Sequence, residues 1–299
     1  MHTLFRLSGA FALGLAGIVG ASAADVPVSP VGPAFFRPPP PRVFIWTSCY
    51  LGGHVGWAFG DKEFTDDPLN PFLFITSALP TTLGSNGFLV GGQFGCNLQI
   101  ARNWVIGVEA DASWANVSAS DTRFFTTSFP GSPDVFFLPT TGDAAATLST
   151  KTDFIGTVTG RLGHTFGSIG QGMIYGKGGV AWITNRHSFT GSVTFVECAA
   201  AVFILPNPPQ CIATNTFFTA FNWTGKETSV GWTIGFGVEW AILGNWTIKG
   251  EYDYLDFGTK TVTLNDQLLG PASFSIRQRI SQVKFGVNYR FGPSITPWY

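Results

Sequence analysis

The sequence predicts an all-β fold, namely an eight-stranded antiparallel transmembrane β-barrel with short periplasmic turns and long outer loops. Three observations support this prediction. Segments of about ten residues, a length that spans a bilayer as a tilted strand, alternate apolar and polar side chains. Trp and Tyr stand near the ends of these segments, where an interfacial aromatic belt belongs. The connections between the segments alternate strictly between short and long, as in outer-membrane barrels.

The composition is compatible with such a fold. Of the 299 residues, 12% are charged and 15% are aromatic, and the mean hydropathy is +0.22. Average soluble domains carry about 25% charged residues, so this chain is apolar by comparison. On these numbers alone, a soluble all-β domain is an alternative.

The first 45 residues divide into two segments. Residues 1–23 have a short basic start, an apolar run and the small-residue box Ala21-Ser22-Ala23, which predicts a signal peptide rather than a single transmembrane anchor. Residues 24–45 are rich in proline, which predicts an extended periplasmic linker. No apolar run of helix-spanning length follows, so we expect residues 46–299 to cross the membrane as strands, in an outer-membrane β-barrel.

Eight segments show the alternation expected of a barrel strand. In the last one, Val283, Phe285 and Val287 fall on one face, while Gln282 and Lys284 fall on the other. The predicted strands cover residues 50–59, 88–99, 104–114, 153–166, 173–182, 232–240, 246–254 and 281–291.

The connections between these segments indicate the orientation of the barrel. The short connections are residues 101–103, 167–172 and 241–245, and the long ones are residues 60–87, 115–152, 183–229 and 257–278. Because short turns are periplasmic and long loops lie outside, the strand number is even and both termini are periplasmic.

The polar faces of the predicted strands carry five acidic and five basic residues. A soluble sandwich would turn these faces to water, whereas a membrane barrel turns its apolar faces to lipid and pairs the charges inside. A lipocalin-like soluble barrel is a further alternative, but it would line its cavity with apolar residues. We therefore predict a plugged, charge-paired lumen. Its predicted members are Glu109, Asp111, Arg161, Lys177, Glu239, Lys249, Glu251, Asp253, Lys284 and Arg290.

Four cysteines in an exported chain predict disulfides. Cys49 pairs with Cys96 on the neighbouring strand in this prediction, and Cys198 pairs with Cys211 within one outer loop, with free buried thiols as the alternative. The histidines lack the spacing of a metal site, although His187 in a long connection is a weak haem-ligand candidate. We expect no metal, no cofactor and no catalytic residue.

Several motifs together make the chain similar to a known family. They are Tyr50-Leu-Gly-Gly-His-Val-Gly-Trp57, Gly91-Gly-Gln-Phe-Gly-Cys-Asn-Leu-Gln99, Thr159-Gly-Arg-Leu-Gly163, Tyr175-Gly-Lys-Gly-Gly-Val-Ala-Trp182 and Val283-Lys-Phe-Gly-Val-Asn-Tyr-Arg-Phe291. With the predicted signal peptide, the chain resembles alphaproteobacterial outer-membrane proteins of the Omp25/Omp31 type, porin-family OmpA-like β-barrel proteins often called outer membrane immunogenic proteins. Residues 292–299 depart from the family, because they continue past the aromatic Phe291 at which its terminal strand ends.

The resemblance implies a barrel in the outer membrane of a Gram-negative bacterium, exposed to the host or environment and supporting the envelope. We expect a structural, surface-exposed and non-enzymatic role. The alternatives are a small-solute porin, a haem-binding or other ligand-binding surface protein, and a membrane-embedded lipid-modifying enzyme. The expected partners are outer-membrane lipid, the barrel-assembly machinery and periplasmic chaperones in transit, and host or environmental surface ligands, but not nucleic acid.

Overall fold

The computed structural model describes residues 42–66, 82–129, 140–202, 210–267, 270–292 and 295–297. These residues form β-strands and the short turns that join them. The strands are β1 (Arg42–Phe44), β2 (Ser48–Asp66), β3 (Thr82–Ala101), β4 (Trp104–Phe129), β5 (Thr140–Phe166), β6 (Gly172–Val202), β7 (Gln210–Leu243), β8 (Trp246–Asp266), β9 (Gly270–Phe291) and β10 (Ile295–Pro297). In the described part of the chain, no helix is long and apolar enough to cross a membrane.

Strands β2 to β9 form a closed antiparallel barrel, which confirms the predicted fold class. Each strand pairs with its sequence neighbours, and the ring closes where β2 pairs with both β3 and β9. Val55, for example, lies opposite Val90 on one side and Phe285 on the other. The remaining two strands, β1 and β10, pair with each other, with Val43 opposite Thr296.

The outer face of the barrel is apolar over the part of each strand that was predicted to cross the bilayer. Isolated apolar side chains on a surface are normal, but a continuous ring of them marks contact with lipid. We call this ring the apolar belt. Its exposed members include Leu51, Val55, Phe88, Phe94, Val108, Val158, Leu162, Ile174, Val180, Ile234, Phe236, Ile248, Phe285 and Val287. Trp104, Trp240 and Trp246 lie at its periplasmic edge, and Trp57, Trp114 and Trp232 lie at its outer edge.

The strands continue well beyond the outer edge of the belt. β6 has 31 residues and β7 has 34, so much of what we predicted as outer loops is strand. In this extension the polarity of the two faces reverses. Ser118 and Ser120 of β4 are exposed on the outside, while Val117 is fully buried inside. Outside the bilayer, water favours a polar outer face and an apolar interior, as in a soluble protein.

Among the described residues, the interior contains three separate apolar clusters along the barrel axis. The periplasmic cluster consists of Phe44, Trp46, Val105, Met173 and Tyr175. The middle cluster, at the outer edge of the belt, consists of Ala58, Leu89, Ala115, Val117, Ile155, Ala181, Ile183, Leu255, Phe257 and Ile280. The outer cluster lies in the extension and consists of Phe64, Leu83, Ala144, Ala146, Leu148, Phe189, Val193, Phe221, Trp223, Val262, Leu264, Phe274 and Ile276. Buried polar residues occupy the spaces between the clusters.

If the apolar belt faces lipid, the cost of introducing a charge on the outer face of β7 should depend strongly on the height of the substituted residue. Phe236 and Thr224 both face outward on β7, but Phe236 lies midway between the two edges of the belt, at Trp232 and Trp240, and Thr224 lies beyond it. Phe236→Arg should lower the free energy of unfolding by about 2–4 kcal/mol, because it places a charge in mid-bilayer lipid. The matched variant Thr224→Arg should change it by less than about 0.5 kcal/mol. Reversible urea unfolding from lipid vesicles measures both, and equal costs would mean that the belt is misplaced.

Candidate functional site

The structure buries all ten of the predicted interior charges. None of them exposes more than 5% of its surface. Nine of the ten are joined by ion pairs into one set, which we call the charge network. Its members are Glu109, Asp111, Arg161, Lys177, Glu239, Lys249, Glu251, Asp253 and Lys284. It lies inside the barrel between the periplasmic and middle clusters, at the level of the apolar belt.

Two glutamates connect most of the cations. Glu109 accepts from Lys249 Nζ at 2.9 Å and from Arg161 Nη1 at 3.2 Å, and it lies 3.5 Å from Lys177 Nζ. Glu251 lies 3.1 Å from both Lys177 Nζ and Lys249 Nζ. Since these five residues come from β4, β5, β6 and β8, the pairs cross the lumen as well as link neighbouring strands.

The remaining members complete the set around these glutamates. Arg161 Nη2 donates to Glu239 at 2.9 Å. Lys284 Nζ lies 3.1 Å from Asp111 and 2.9 Å from Asp253. Buried ions are tolerated when they are paired and hydrogen-bonded, and every carboxylate of the network has a cation within ion-pair distance.

Two tyrosines add hydrogen bonds from the interior wall. The Tyr50 hydroxyl donates to Glu109 Oε2 and the Tyr175 hydroxyl donates to Glu251 Oε1, each at 2.6 Å. The guanidinium of Arg161 also lies 3.8 Å above the centre of the Tyr175 ring, a cation–π contact. The two tyrosine rings need space beside the neighbouring strands, and glycines in those strands provide it.

The glycines beside these rings have little room for a side chain. A Cβ on Gly95 would lie 2.4 Å from the Tyr50 hydroxyl, and a Cβ on Gly237 would lie 2.6 Å from that of Tyr175. The inward-facing glycines therefore let large polar side chains fit within a narrow barrel.

Arg290 is the one predicted charge that lies outside the network. It is near the periplasmic end, where its Nε donates to Ser48 Oγ at 3.0 Å and its Nη2 donates to the carbonyl of Ile45. Its guanidinium lies 4.4 Å from the centre of the Phe44 ring. The network thus contains five carboxylates and four cations, while Arg290 contacts a segment at the periplasmic mouth, which we call the closing segment.

This closing segment is formed by residues 42–47, which sequence reasoning placed mainly in the linker. Trp46 is fully buried, and its Nε1 donates to the carbonyl of Gly170 at 2.9 Å. Phe44 donates from its backbone N–H to Ile169 at 2.8 Å. The sequence signal was the short aromatic alternation at Phe44 and Trp46, which follows directly on the proline run.

One predicted disulfide is present among the described residues. Cys49 of β2 lies directly opposite Cys96 of β3, and their sulfurs are bonded. For the second pair, the backbone register places Cys198 opposite Thr214 and Cys211 opposite Ala201. The side chains of Cys198 and Cys211 lie outside those that the structure describes, so their disulfide stays a prediction.

A second buried polar group lies in the extension, between the middle and outer clusters. Lys62 is fully buried and its Nζ donates to Thr150 Oγ1 at 2.7 Å and to Asn185 Oδ1 at 3.1 Å. His187 is buried beside it, with Nε2 3.7 Å from a carboxylate oxygen of Glu227. The His187 ring therefore lies inside the barrel and not on its outer surface, where a haem ligand was expected, and burial lowers its pKa. Among the described residues, no group of three His, Cys, Asp or Glu side chains could hold a metal ion.

A closed eight-stranded ring with a lipid-facing belt and a charged interior defines a membrane-spanning β-barrel of the outer-membrane class. The family model of the outer membrane protein beta-barrel domain matches residues 11–291, and the chain belongs to this family. Its place is therefore the outer membrane of a Gram-negative bacterium.

Two curated relatives strengthen this assignment. The 31 kDa outer-membrane immunogenic proteins of Brucella melitensis and Brucella suis are each 31% identical over 280 residues, which cover 91% of this chain and 93% of theirs. Among solved structures, OprG from Pseudomonas aeruginosa is 12% identical, with 82% of this chain and 98% of that chain covered and a TM-score of 0.38. Ail from Yersinia pestis is 14% identical, with 83% and 100% covered and a TM-score of 0.29.

The charge network predicts that removing one carboxylate is costly. Glu109→Gln would leave Arg161, Lys177 and Lys249 short of a partner in a buried site, which should lower the free energy of unfolding by about 3–5 kcal/mol. The exposed Glu63 on β2 gives the control, and Glu63→Gln should change it by less than about 0.5 kcal/mol. Urea unfolding in lipid is the measurement, and a cost for Glu109→Gln no larger than the control would show that the network is not tightly paired.

The burial of Lys62 should make the free energy of unfolding of the barrel depend on pH. Burial lowers its pKa from 10.5 to about 7 in the folded barrel, in the extension outside the apolar belt. Between these two values the unfolded chain holds the proton and the folded chain does not. Stability therefore rises with pH from about 7 to about 10.5, by at most about 1.4 kcal/mol per pH unit. Lys62→Met should remove this rise, as measured by unfolding midpoints across that range, and an identical pH profile in both proteins would contradict the assignment.

Proposed function

We propose that the protein is a structural, surface-exposed component of the outer membrane whose lumen is closed by the charge network. This proposal excludes bulk solute passage and assigns no enzymatic step. The proposal rests on the buried side chains that follow one another along the barrel axis, from the aromatic closing segment through the charge network to the outer cluster.

The narrowness of the barrel supports a closed lumen. About eight strands leave an interior just wide enough for side chains to fill, whereas about sixteen or more leave an aqueous channel. In this chain the interior side chains at the level of the belt are long, charged and mutually paired, with Arg161, Lys177 and Lys249 reaching carboxylates across the lumen. Opening a path for ions would separate these pairs in a medium where unpaired charge is costly.

Two further seals lie on either side of the network. Trp46 and Phe44 occupy the periplasmic mouth, and the middle cluster fills the barrel at the outer edge of the belt. Because the middle cluster is apolar and includes the fully buried Ile155 and Leu255, it favours neither ions nor water. A closed lumen therefore does not depend on the charge network alone.

The surface-exposed part of the proposal rests on the extension. Strands of up to 34 residues are longer than a bilayer requires, and their outer parts turn polar faces to solvent. The Brucella relatives are named as immunogenic outer-membrane proteins. We extend that role to this chain and propose that the long hairpins present its surface to the host or environment.

Planar-bilayer recording tests the closed lumen. The unmodified protein should show no large, stable single-channel steps, under conditions in which a sixteen-stranded porin shows them. Trp46→Ala should also stay closed, because the charge network and middle cluster remain in place. Stable steps from the unmodified protein would instead establish the rival porin function, and steps appearing only in Trp46→Ala would place the whole seal in the closing segment.

A further inference from the structure

Three basic side chains stand in one row across the outer face of the barrel. Lys151 of β5 lies opposite Arg186 of β6, and Arg186 lies opposite Lys226 of β7. All three are exposed, since their sequence neighbours Thr150, Thr152 and Asn185 are the ones that point inward. We call these three residues the basic row.

The basic row carries an electrostatic cost that the protein itself offsets only in part. Like charges directly opposite each other on neighbouring strands destabilise a sheet. Asp153 pairs with Arg186 at 2.6 Å, which leaves an excess of two positive charges across three adjacent strands. Such an excess is expected where a ligand of opposite charge binds.

The opposite side of the barrel provides a comparison. There the exposed Arg279 and Arg277 of β9 lie opposite the acidic Asp61 and Glu63 of β2. Arg279 also lies 4.0 Å from Asp256 of β8. Both of these arginines therefore have acidic neighbours, whereas the basic row on β5, β6 and β7 keeps an excess of positive charge.

The height of the basic row matches lipid headgroups. Lys151 lies three residues beyond Phe154, and Arg186 lies four residues beyond Trp182, at the outer edge of the belt. At about 3.3 Å per residue and a tilt of about 45°, these two positions lie about 7–9 Å above the edge, and Lys226, six residues beyond Trp232, lies about 14 Å above it. The headgroup layer on each side of a bilayer is about 5–8 Å thick, so long Lys and Arg side chains reach it.

A groove on the outer surface connects the basic row with the aromatic edge of the belt. Its lining includes Arg186 and Lys226 above and Phe154 and Trp114 below, and its volume is about 420 Å³. Trp114 is 77% exposed. The groove therefore offers positive charge at headgroup depth and an apolar wall at acyl-chain depth, which is the polarity of one lipid molecule.

We propose that the basic row binds the phosphate of a phosphorylated lipid in the outer leaflet, with its acyl chains against Trp114 and Phe154. Guanidinium and ammonium groups form charge-assisted hydrogen bonds with phosphate oxygens. Ser118, Ser149 and Ser188, which line the adjoining groove with Lys151, add hydroxyl donors. The inference rests on the membrane placement of the barrel and is independent of whether the lumen conducts.

Heat-modifiability in vesicles tests the proposal. The protein is placed in phosphatidylcholine vesicles with or without diphosphorylated lipid A, and the temperature at which the unboiled band shifts on an SDS gel is measured. Lipid A should raise this temperature for the unmodified protein, and the rise should be lost in Lys151→Gln/Arg186→Gln/Lys226→Gln. The matched control Lys260→Gln/Arg277→Gln/Arg279→Gln removes the same charge from exposed positions on β8 and β9 and should keep the rise.

Further arms distinguish the source of the phosphate. Dephosphorylated lipid A and free inorganic phosphate should each fail to raise the temperature. The proposal is overturned if the basic-row variant keeps the rise, if both triple variants lose it equally, or if either of these two probes reproduces it. If the basic-row variant does not fold, Lys151→Gln alone should reduce the rise, and an unchanged rise in that variant would equally overturn the proposal.

Discussion

The constraint on which the structure depends is that no backbone N–H or C=O group can be left unpaired in the hydrocarbon of a bilayer. The chain meets it by closing the sheet, so that β2 pairs with β9 as fully as with β3. Closure with antiparallel neighbours fixes which side chains face lipid and which face inward, because successive residues alternate between the two sides. Everything inside the barrel then has to be accommodated in the width that eight strands enclose.

The side chains inside the barrel fit this narrow width differently at different heights along the axis. At belt level the outer face must be apolar, so the polar residues collect inside, where Glu109 and Glu251 bring the cations together. Beyond the belt, water takes over as the outer solvent and the interior becomes apolar, as at Leu148 and Phe189. One continuous set of strands thus behaves as a membrane barrel below and as a soluble barrel above, and the buried Lys62 lies in the soluble part.

The sequence was sufficient for the fold class and for the inward placement of the charges. Side chains alternate with a period of two residues, and Trp residues mark the strand ends. Together these two features assign a face to each residue without information on which strands are adjacent in the barrel. The sequence could not predict which charges meet. Lys249 and Glu109 are 140 residues apart, and their contact depends on how the strands are staggered around the ring. Arg290 was wrongly grouped with the network because the sequence does not show its height along the barrel axis.

The extension was missed because the alternation changes there in two ways. Its polarity reverses, and bulges shift its register. On β5 the buried positions change from Ile155 and Thr157 to Thr150 and Thr152 across the irregularity between Thr152 and Phe154. On β8 a similar shift lies between Asp256 and Thr259. A search for one uninterrupted period stops at such points, although the strands continue.

We infer that paired charges, not water, fill the barrel at the level of the membrane. Water-edited solid-state NMR of the lipid-embedded protein, with the lysine ammonium nitrogens labelled, distinguishes the two. Magnetisation from water should reach Lys177, Lys249 and Lys284 much more slowly than the exposed Lys260. Transfer to the three interior lysines as fast as to Lys260 would mean a hydrated lumen and would rule out a charge-filled interior.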